Sequence, residues 1–335
     1  MNATTHGPQV TAKSSSHPAY QASSFVAFQG KRELHLGDRL FAWFVKLAAS
    51  SLIVLLLAIA GFLLWRAWPA VTAFGWNFVV SSDWDPVQDI YGALPVIYGT
   101  VVSSLLAMAI ATPLSIGIAL FLNELAPRRL ANLVGFLIEM LAAIPSVVYG
   151  LWGIFVLAPW LRTEVEPFLL KYFSFVPLFS GPPYGVGMMA AGMILSIMVI
   201  PTVSSISREV FKAIPRSHRE AAMALGATRW ETMVISVLKS AKTGIMGAVI
   251  LGLGRALGET MAVTMVIGNR AEIAWSLFAP SQTMASVIAN EYAEATSDIH
   301  LAALAEVGLV LFAVTFLINA FARLLVWRLG ERIKA

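Results

Sequence analysis

Long apolar runs separated by polar segments set the pattern of this chain. A membrane-spanning helix needs about 20 predominantly apolar residues, and six runs approach or exceed this length: 40–64, 100–122, 133–158, 186–206, 244–268 and 301–327. Pro113, Pro145 and Pro201 lie inside the second, third and fourth runs, where a proline removes a backbone hydrogen bond and kinks a helix. We therefore predict an all-α, polytopic membrane protein with six transmembrane helices.

A charged interruption, residues 207–243, separates the fourth run from the fifth. Ser217 and Glu220 have the spacing of a capping box, in which a hydroxyl and a carboxylate each accept a free backbone N–H at a helix start. This spacing predicts a helix that starts near His218. Gly226 readily adopts the left-handed conformation that ends a helix, so the helix should have about two turns.

Thr228 and Glu231 repeat the capping-box spacing and predict a second helix after the turn. An isolated helix of two turns is marginally stable in water. We therefore expect another protein to cover the face that Ala221, Ala222 and Leu225 form, which makes the segment a docking element. The alternative is an ordinary amphipathic cytoplasmic loop.

The composition supports a membrane protein. Hydrophobic residues make up 58% of the 335 residues and charged residues 13%, whereas soluble domains carry about 25% charged residues. The net charge of +4 does not call for a nucleic-acid partner, because the basic residues collect in particular loops. The absence of cysteine excludes disulfides, thiolate nucleophiles and iron–sulfur clusters. The five histidines have no metal-ligand spacing, so we expect no metal and no cofactor.

Lysine and arginine residues concentrate on one side of the predicted membrane. Of the 23, only Arg66, Arg162, Lys171 and Arg270 lie in the three loops on the opposite side. Loops rich in Lys and Arg remain in the cytoplasm. We therefore expect the N-terminus, the C-terminus and the 207–243 loop to be cytoplasmic.

Three regions follow from this pattern. Residues 1–39 are polar and lack hydrophobic periodicity, which is typical of a disordered cytoplasmic tail. Residues 40–93 contain the first transmembrane helix and an outer loop, and residues 94–330 contain the remaining transmembrane domain with the cytoplasmic loop 207–243. The run at 40–64 exceeds the ~7 to 15 residues of the apolar region in a secretory signal, so we expect it to remain as a membrane span.

Four charged residues lie inside the predicted spans: Glu139, Arg255, Glu259 and Glu306. A charge at the bilayer centre costs ~3 kcal/mol on insertion scales, so each should face protein or water. Arg255 and Glu259 stand one helical turn apart, where they can form a structural ion pair. In the alternative, Arg255 lines the route of an anion, and Glu259 and Glu139 tune its position and charge.

The string Glu220-Ala221-Ala222, followed after three residues by Gly226, resembles the EAA loop of ABC importer permeases, which a cytoplasmic ATPase grips. The family pattern continues with an apolar residue, any residue, Leu and Pro. This chain has Ser236, Val237, Leu238 and Lys239 there, so the first and last depart from the pattern. The resemblance implies that the residues coupling the chain to the ATPase are Arg219, Glu220, Ala221, Ala222, Leu225 and Gly226.

A more specific resemblance lies in the fifth run. Its stretch Gly254-Arg255-Ala256-Leu257-Gly258-Glu259-Thr260-Met261-Ala262-Val263 is similar to the signature of the PstC family, the permease subunits of phosphate importers. Residues 138–153, 98–100 and 283–291 add to this resemblance. It implies the six-span ABC importer permease (MetI-like) fold in a bacterial inner membrane.

The same resemblance implies several partners: a PstA-like permease subunit, an ABC ATPase dimer, an extracytoplasmic phosphate-binding protein and the lipid bilayer. The chain itself is expected to be a transport subunit and not an enzyme. Its only Gly-Lys dipeptide, Gly30-Lys31, lacks the surrounding sequence of a phosphate-binding loop. In this family nucleotide binding displaces the short docking helix and rocks the fifth span, and we expect Arg255 to contact the anion.

Other functions stay open at this point. The permease can serve another oxyanion, such as molybdate, sulfate or phosphonate. A proton-coupled secondary transporter would instead use Glu139, Glu259 and Glu306 as a proton relay and would bind no ATPase. An intramembrane enzyme is a third class, but the sequence offers no paired nucleophile and base.

Overall fold

A computed structural model describes residues 36–331. Within this range the chain is helical and has only two isolated β-bridges, which confirms the all-α prediction. The predicted disordered tail lies outside the described residues, except for its last few positions. These already belong to the first helix, which begins at Leu36.

Six helical stretches in the described range have the length and composition to cross a membrane, as predicted. We call them spans one to six: Gly37–Phe74, Leu94–Leu125, Ser146–Phe173, Met188–Lys212, Arg229–Gly258 and Asp298–Leu324. The α-helices in chain order are α1 (Leu36–Phe74), α2 (Asn77–Val80), α3 (Leu94–Leu120), α4 (Arg128–Ala142), α5 (Ser146–Trp152), α6 (Ala158–Trp160), α7 (Glu166–Phe173), α8 (Met188–Lys212), α9 (Arg216–Ala224), α10 (Arg229–Thr232), α11 (Lys239–Gly258), α12 (Met261–Val266), α13 (Met284–Glu291) and α14 (Asp298–Glu331).

Several spans contain π-helical segments, in which each turn holds about one residue more than in an α-helix. They lie at Phe121–Leu125, Gly153–Leu157, Leu161–Val165 and Met233–Leu238. The first ends span two just before α4, and the last lies near the start of span five. Such segments occur frequently at functional sites.

The described residues divide after Val54 into two units. In the first unit, the described side chains belong to the start of α1 and are exposed. In the second unit, spans two and four pack closely, and buried residues such as Ala107, Ile194 and Met198 form its main core. Its exposed apolar side chains fit a helix bundle that lipid surrounds.

The third predicted span, 133–158, is wrong as a continuous helix because the chain breaks at Pro145. Helix α4 ends at Ala142, and span three begins at Ser146. Proline has no N–H for the helical bond, and its ring clashes with the preceding turn. Tyr149 Oη donates to the carbonyl of Leu141 at 2.8 Å, and this carbonyl also accepts the Ile144 N–H at 3.3 Å.

The fifth predicted span, 244–268, is interrupted as well. Helix α11 ends at Gly258, and Glu259 has extended backbone angles, with φ −70° and ψ 129°. The short helix α12 then starts at Met261. Transporters commonly place substrate sites at such discontinuous helices, so this break directs attention to the residues around it.

The 207–243 loop folds as helix, turn and helix, as predicted, but its first cap differs. Helix α9 begins at Arg216, with Pro215 at the cap position and no side-chain cap. The predicted capping box of Ser217 and Glu220 is therefore wrong, because Ser217 already lies inside the first turn. Proline is compatible with this position, since its ring fixes φ near −65° and Pro215 has a φ of −57°.

The turn and the second cap agree with the prediction. Gly226 has a φ of 87°, the left-handed conformation that ends a helix. Thr228 Oγ1 accepts the Glu231 N–H at 3.3 Å, and the Glu231 carboxylate accepts the Thr228 N–H at 2.8 Å. The helix pair is thus held by one glycine turn and one true capping box.

Candidate functional site

Arg255 lies in the last turn of α11, half-buried between spans. Its Nη1 donates to Thr202 Oγ1 of α8, at 3.3 Å. Spans four and five therefore meet at Arg255, next to the break in span five.

The ion pair that the spacing of Arg255 and Glu259 allows is not formed. Among the described residues, no carboxylate oxygen lies within 4.0 Å of the Arg255 guanidinium nitrogens. The pair needs both residues on one continuous helix, and Glu259 has left it. The Glu259 carboxylate instead accepts the Ala262 N–H at 3.4 Å, at the start of α12.

Glu139 lies on α4, before span three, and its side chain is exposed. It borders a cavity of about 240 Å³ between α4 and α8, together with Arg208 and Glu209. Arg208 Nη2 donates to the carbonyl of Ala131 at 3.0 Å. The structure thus groups Glu139 with Arg208, and its predicted influence on Arg255 remains a prediction.

The arrangement at Arg255 suits transient binding of an anion. A guanidinium has five N–H donors in a planar fork, and only one bond of this group, to Thr202, involves another described residue. The remaining donors can bind an oxyanion through charge-assisted hydrogen bonds. Sequence reasoning missed Thr202 as a neighbour of Arg255, although a threonine next to Pro201 in an apolar run is a detectable signal.

Two of the other stretches that resemble the PstC family, residues 98–100 and 283–291, lie next to each other in the structure. A Cβ on Gly99 would collide with the carbonyl oxygen of Gln282, and Thr100 Oγ1 accepts the Met284 N–H at 2.9 Å. These contacts attach the start of α13 to span two. Gly99 is therefore needed because any larger residue would collide with the backbone of Gln282.

A second close contact joins span three to α12. A Cβ on Gly150 would lie 2.6 Å from Met265 Sδ and 3.1 Å from Ala262 Cα. Since Gly150 belongs to the 138–153 stretch and Ala262 to the fifth-run stretch, the structure brings two of the quoted stretches together.

The coupling residues predicted from the loop divide into two groups. Glu220, Ala221, Leu225 and Gly226 are exposed, and Leu225 has 90% of its surface accessible. Ala222 is half-buried. Arg219 differs, because its guanidinium packs against Glu124 at the end of span two. Trp230, which sequence reasoning did not select, is 68% exposed beside them.

Away from the docking loop, Glu291 joins two segments that lie between spans. Its carboxylate accepts from Trp84 Nε1 at 3.0 Å and contacts His300 Nε2 at 3.0 Å. The ring of Tyr91 stacks on His300 with centroids 5.4 Å apart. Burial and the hydrogen bond to Asp89 raise the pKa of Tyr91 to about 12. These contacts fix the loop before span two against the start of span six.

Comparison with known proteins places these features in a family. The model of the binding-protein-dependent transport system inner membrane component matches residues 111–331. The phosphate transport system permease protein PstC of Mesorhizobium japonicum is 47% identical over 308 residues, which cover 91% of this chain and 94% of the relative. The protein of the same name from Pasteurella multocida is 45% identical over 302 residues, with 89% and 94% covered.

A solved structure supports the fold. A chain from the crystal structure of a bacterial alginate ABC transporter, in complex with an alginate pentasaccharide-bound periplasmic protein, matches with a TM-score of 0.59. The match covers 89% of this chain and 98% of that one, at 16% identity. The shared fold is that of an ABC importer permease, as predicted.

Proposed function

The chain belongs to the family of binding-protein-dependent transport system inner membrane components, and we propose that it is the PstC-type permease subunit of an ATP-driven importer for inorganic phosphate. It is a multi-pass inner-membrane protein that forms part of a transport pathway and is not itself an enzyme. Phosphate as its substrate accords with the names of its relatives and with the chemistry of Arg255.

The observation that carries the phosphate proposal is the Arg255 guanidinium at the break in span five. A cation inside a membrane bundle is expensive and marks an ion pathway by default. Among the described residues it has a hydroxyl partner, Thr202, and no carboxylate partner. A phosphate oxygen can therefore replace or share that bond without first breaking an ion pair.

A site with a single arginine also allows phosphate to leave again. Conduction requires binding that is favourable enough for entry and weak enough for exit. A site with one guanidinium and one hydroxyl attracts the anion without surrounding it by donors. Glu259, half-buried near Arg255 in the chain, adds a negative charge that opposes tight retention of phosphate.

The coupling role follows from chain connectivity. Span five begins at Arg229, shortly after the Gly226 turn, and carries Arg255 in its last turn. A displacement of α9 is thus passed through one helical stretch to the candidate anion contact. The exposed residues Leu225 and Trp230 give the ATPase an apolar surface to cover.

The assembly that this function needs has four kinds of component. We infer a PstA-like permease, an ABC ATPase dimer and an extracytoplasmic phosphate-binding protein around this chain in the bilayer. Both termini and α9 face the cytoplasm in this proposal. The support is the concentration of Lys and Arg residues on that side, with the docking loop among them.

The decisive experiment is uptake of labelled phosphate into vesicles that contain the complete complex, with the binding protein outside and ATP inside. We expect uptake only with ATP, and competition by unlabelled phosphate but not by molybdate, sulfate or phosphonate. Uptake driven by a proton gradient without ATP would contradict the proposal. Preferential competition by another oxyanion would contradict the choice of substrate.

A further inference from the structure

Arg219 forms a dense set of hydrogen bonds where α9 meets the ends of spans two and four. Its Nη2 donates to Glu124 Oε1 at 2.7 Å, and its Nε lies 3.2 Å from both carboxylate oxygens. Its Nη1 donates to the carbonyl of Ile214 at 3.0 Å, and Nη2 also donates to that of Phe211 at 3.1 Å. One side chain on α9 thus holds both span two and the end of span four.

The Arg219–Glu124 pair is shielded from water. The side chains are 17% and 14% exposed, respectively. The nearby pair of Lys212 and Glu209 has exposures of 46% and 69%, and pairs so exposed contribute little to stability. A shielded pair with additional hydrogen bonds is costly to break, because each partner would leave a charge without compensation.

Glu124 occupies a distinctive place in span two. It lies in the π-helical segment Phe121–Leu125, where the Ala126 N–H donates to the Phe121 carbonyl at 2.8 Å. The additional residue of a π turn rotates the following side chains about the helix axis. Asn123 Nδ2 donates to Glu124 Oε1 at 2.7 Å, which further fixes the carboxylate toward Arg219.

We propose that Arg219 is a positioning residue that passes the movement of α9 to spans two and four, with Glu124 as its receiving partner. Chain connectivity alone links α9 to span four before it and span five after it. Through the Arg219–Glu124 pair, α9 is also linked to span two, which packs against span four in the core. The inference rests on the proposed function, and it assigns Arg219 a role inside the permease instead of on the ATPase-binding surface.

The test uses the complete complex in vesicles and measures phosphate uptake, ATP hydrolysis and subunit assembly together. The variants are Arg219→Ala, Glu124→Ala and the double variant, with Glu124→Gln as an isosteric change and Arg219→Lys as a change that keeps the charge. Lys212→Ala is the matched control, since it breaks the exposed neighbouring pair. The ratio of phosphate transported to ATP hydrolysed is the main readout, because a purely structural role would not change it.

We expect the complexes with Arg219→Ala or Glu124→Ala to assemble and to hydrolyse ATP. They should transport about tenfold less phosphate per ATP, which is a typical size for coupling between sites. The double variant should be no worse than either single variant, because partners that act as a unit are not additive. Glu124→Gln and Arg219→Lys should show smaller losses, and Lys212→Ala none.

Three results would overturn the proposal: an unchanged ratio, additive losses in the double variant, or failure of even Glu124→Gln and Arg219→Lys to assemble. The unmodified complex separates this inference from the proposed function. If it shows no ATP-dependent phosphate uptake, the proposed function fails. If it transports phosphate while the ratio stays constant in the variants, only the role of the pair fails.

Discussion

The hydroxyl of Thr202 accepts a hydrogen bond from the guanidinium of Arg255, with 3.3 Å between Oγ1 and Nη1. This bond joins span four to span five immediately before span five breaks. It also replaces the ion pair with Glu259 that the spacing allowed. The cation is thereby oriented by a neutral partner, and its charge remains available.

Arg255→Ala should abolish most phosphate uptake by the complete complex. A hydrogen bond to a charged group is worth up to about 3 kcal/mol, which corresponds to a loss of roughly 100-fold. Arg255→Lys should retain part of the activity, because it keeps the charge but loses the planar fork. Lys242→Ala, on the exposed side of the same helix, is the control and should transport normally. Equal uptake by all three variants would remove Arg255 from the pathway.

Thr202→Val should have a milder effect than any change of Arg255. It removes one neutral partner while keeping the shape of the side chain, and such a bond contributes about 1 kcal/mol, or roughly fivefold. We expect the concentration of phosphate-loaded binding protein that gives half-maximal uptake to change by this factor. A loss as large as that of Arg255→Ala would show that Thr202 itself binds the anion.

Gly99→Ala should destabilise the protein, because its Cβ would collide with the backbone carbonyl of Gln282. Overpacking against backbone costs about 1–3 kcal/mol, which should appear as a lower unfolding temperature in detergent. Gly117→Ala in the same α3 helix is the matched control, since a Cβ at that position would meet no described atom within 4 Å. That substitution should stabilise by about 1 kcal/mol through helix propensity. Equal unfolding temperatures would contradict the close contact.

A comparison of Thr228→Ala with Ser217→Ala tests which of the two predicted capping residues caps a helix. Thr228 accepts the Glu231 N–H, so its loss should cost about 1 kcal/mol of local stability. Ser217 caps nothing in α9, and its replacement should change local stability by less than about 0.5 kcal/mol. Amide hydrogen exchange of the 216–238 segment measures both. Faster exchange in Ser217→Ala than in Thr228→Ala would reverse the assignment.

Gly226→Ala should weaken the association with the ATPase. A residue with a Cβ pays roughly 1–2 kcal/mol in the left-handed conformation, although space around Gly226 is open. Gly226→Asn should be tolerated better, because asparagine adopts this conformation more readily. The measurement is the amount of ATPase that copurifies with each variant. If alanine and asparagine behave alike, backbone strain at the turn is not the determinant.

The sequence predicted features that depend on local chemistry. Apolar run length located the six spans, and the Gly226 turn and the Thr228 cap depend on neighbouring residues only. A proline in an apolar run did not by itself predict where a helix ends. Pro113 and Pro201 remain inside helices, whereas Pro145 follows the end of one. Whether a proline kinks or ends a helix depends on which groups satisfy the freed carbonyls. At Pro145 the Ile144 N–H and the Tyr149 hydroxyl both donate to the carbonyl of Leu141.

The site depends on contacts that the sequence does not display. Arg255 and Thr202 are 53 positions apart, and Arg219 and Glu124 are 95 apart. Only the packing of spans two, four and five determines these pairs. The break at Glu259 has no proline, so a continuous helix was the natural expectation from local sequence.

The two helix breaks near Arg255 divide the third and fifth apolar runs in a related way. Beyond the breaks, span three and α12 are locked together where Gly150 meets Ala262, and Gly153 meets Val266. Before them, α4 and α11 lie on the side of the docking loop. Since the helical hydrogen-bond ladder is interrupted at both breaks, no continuous helix ties this pair to α4 or to α11. Arg255 belongs to the last turn of α11, so the break separates the helix that carries the guanidinium from the contact between α12 and span three.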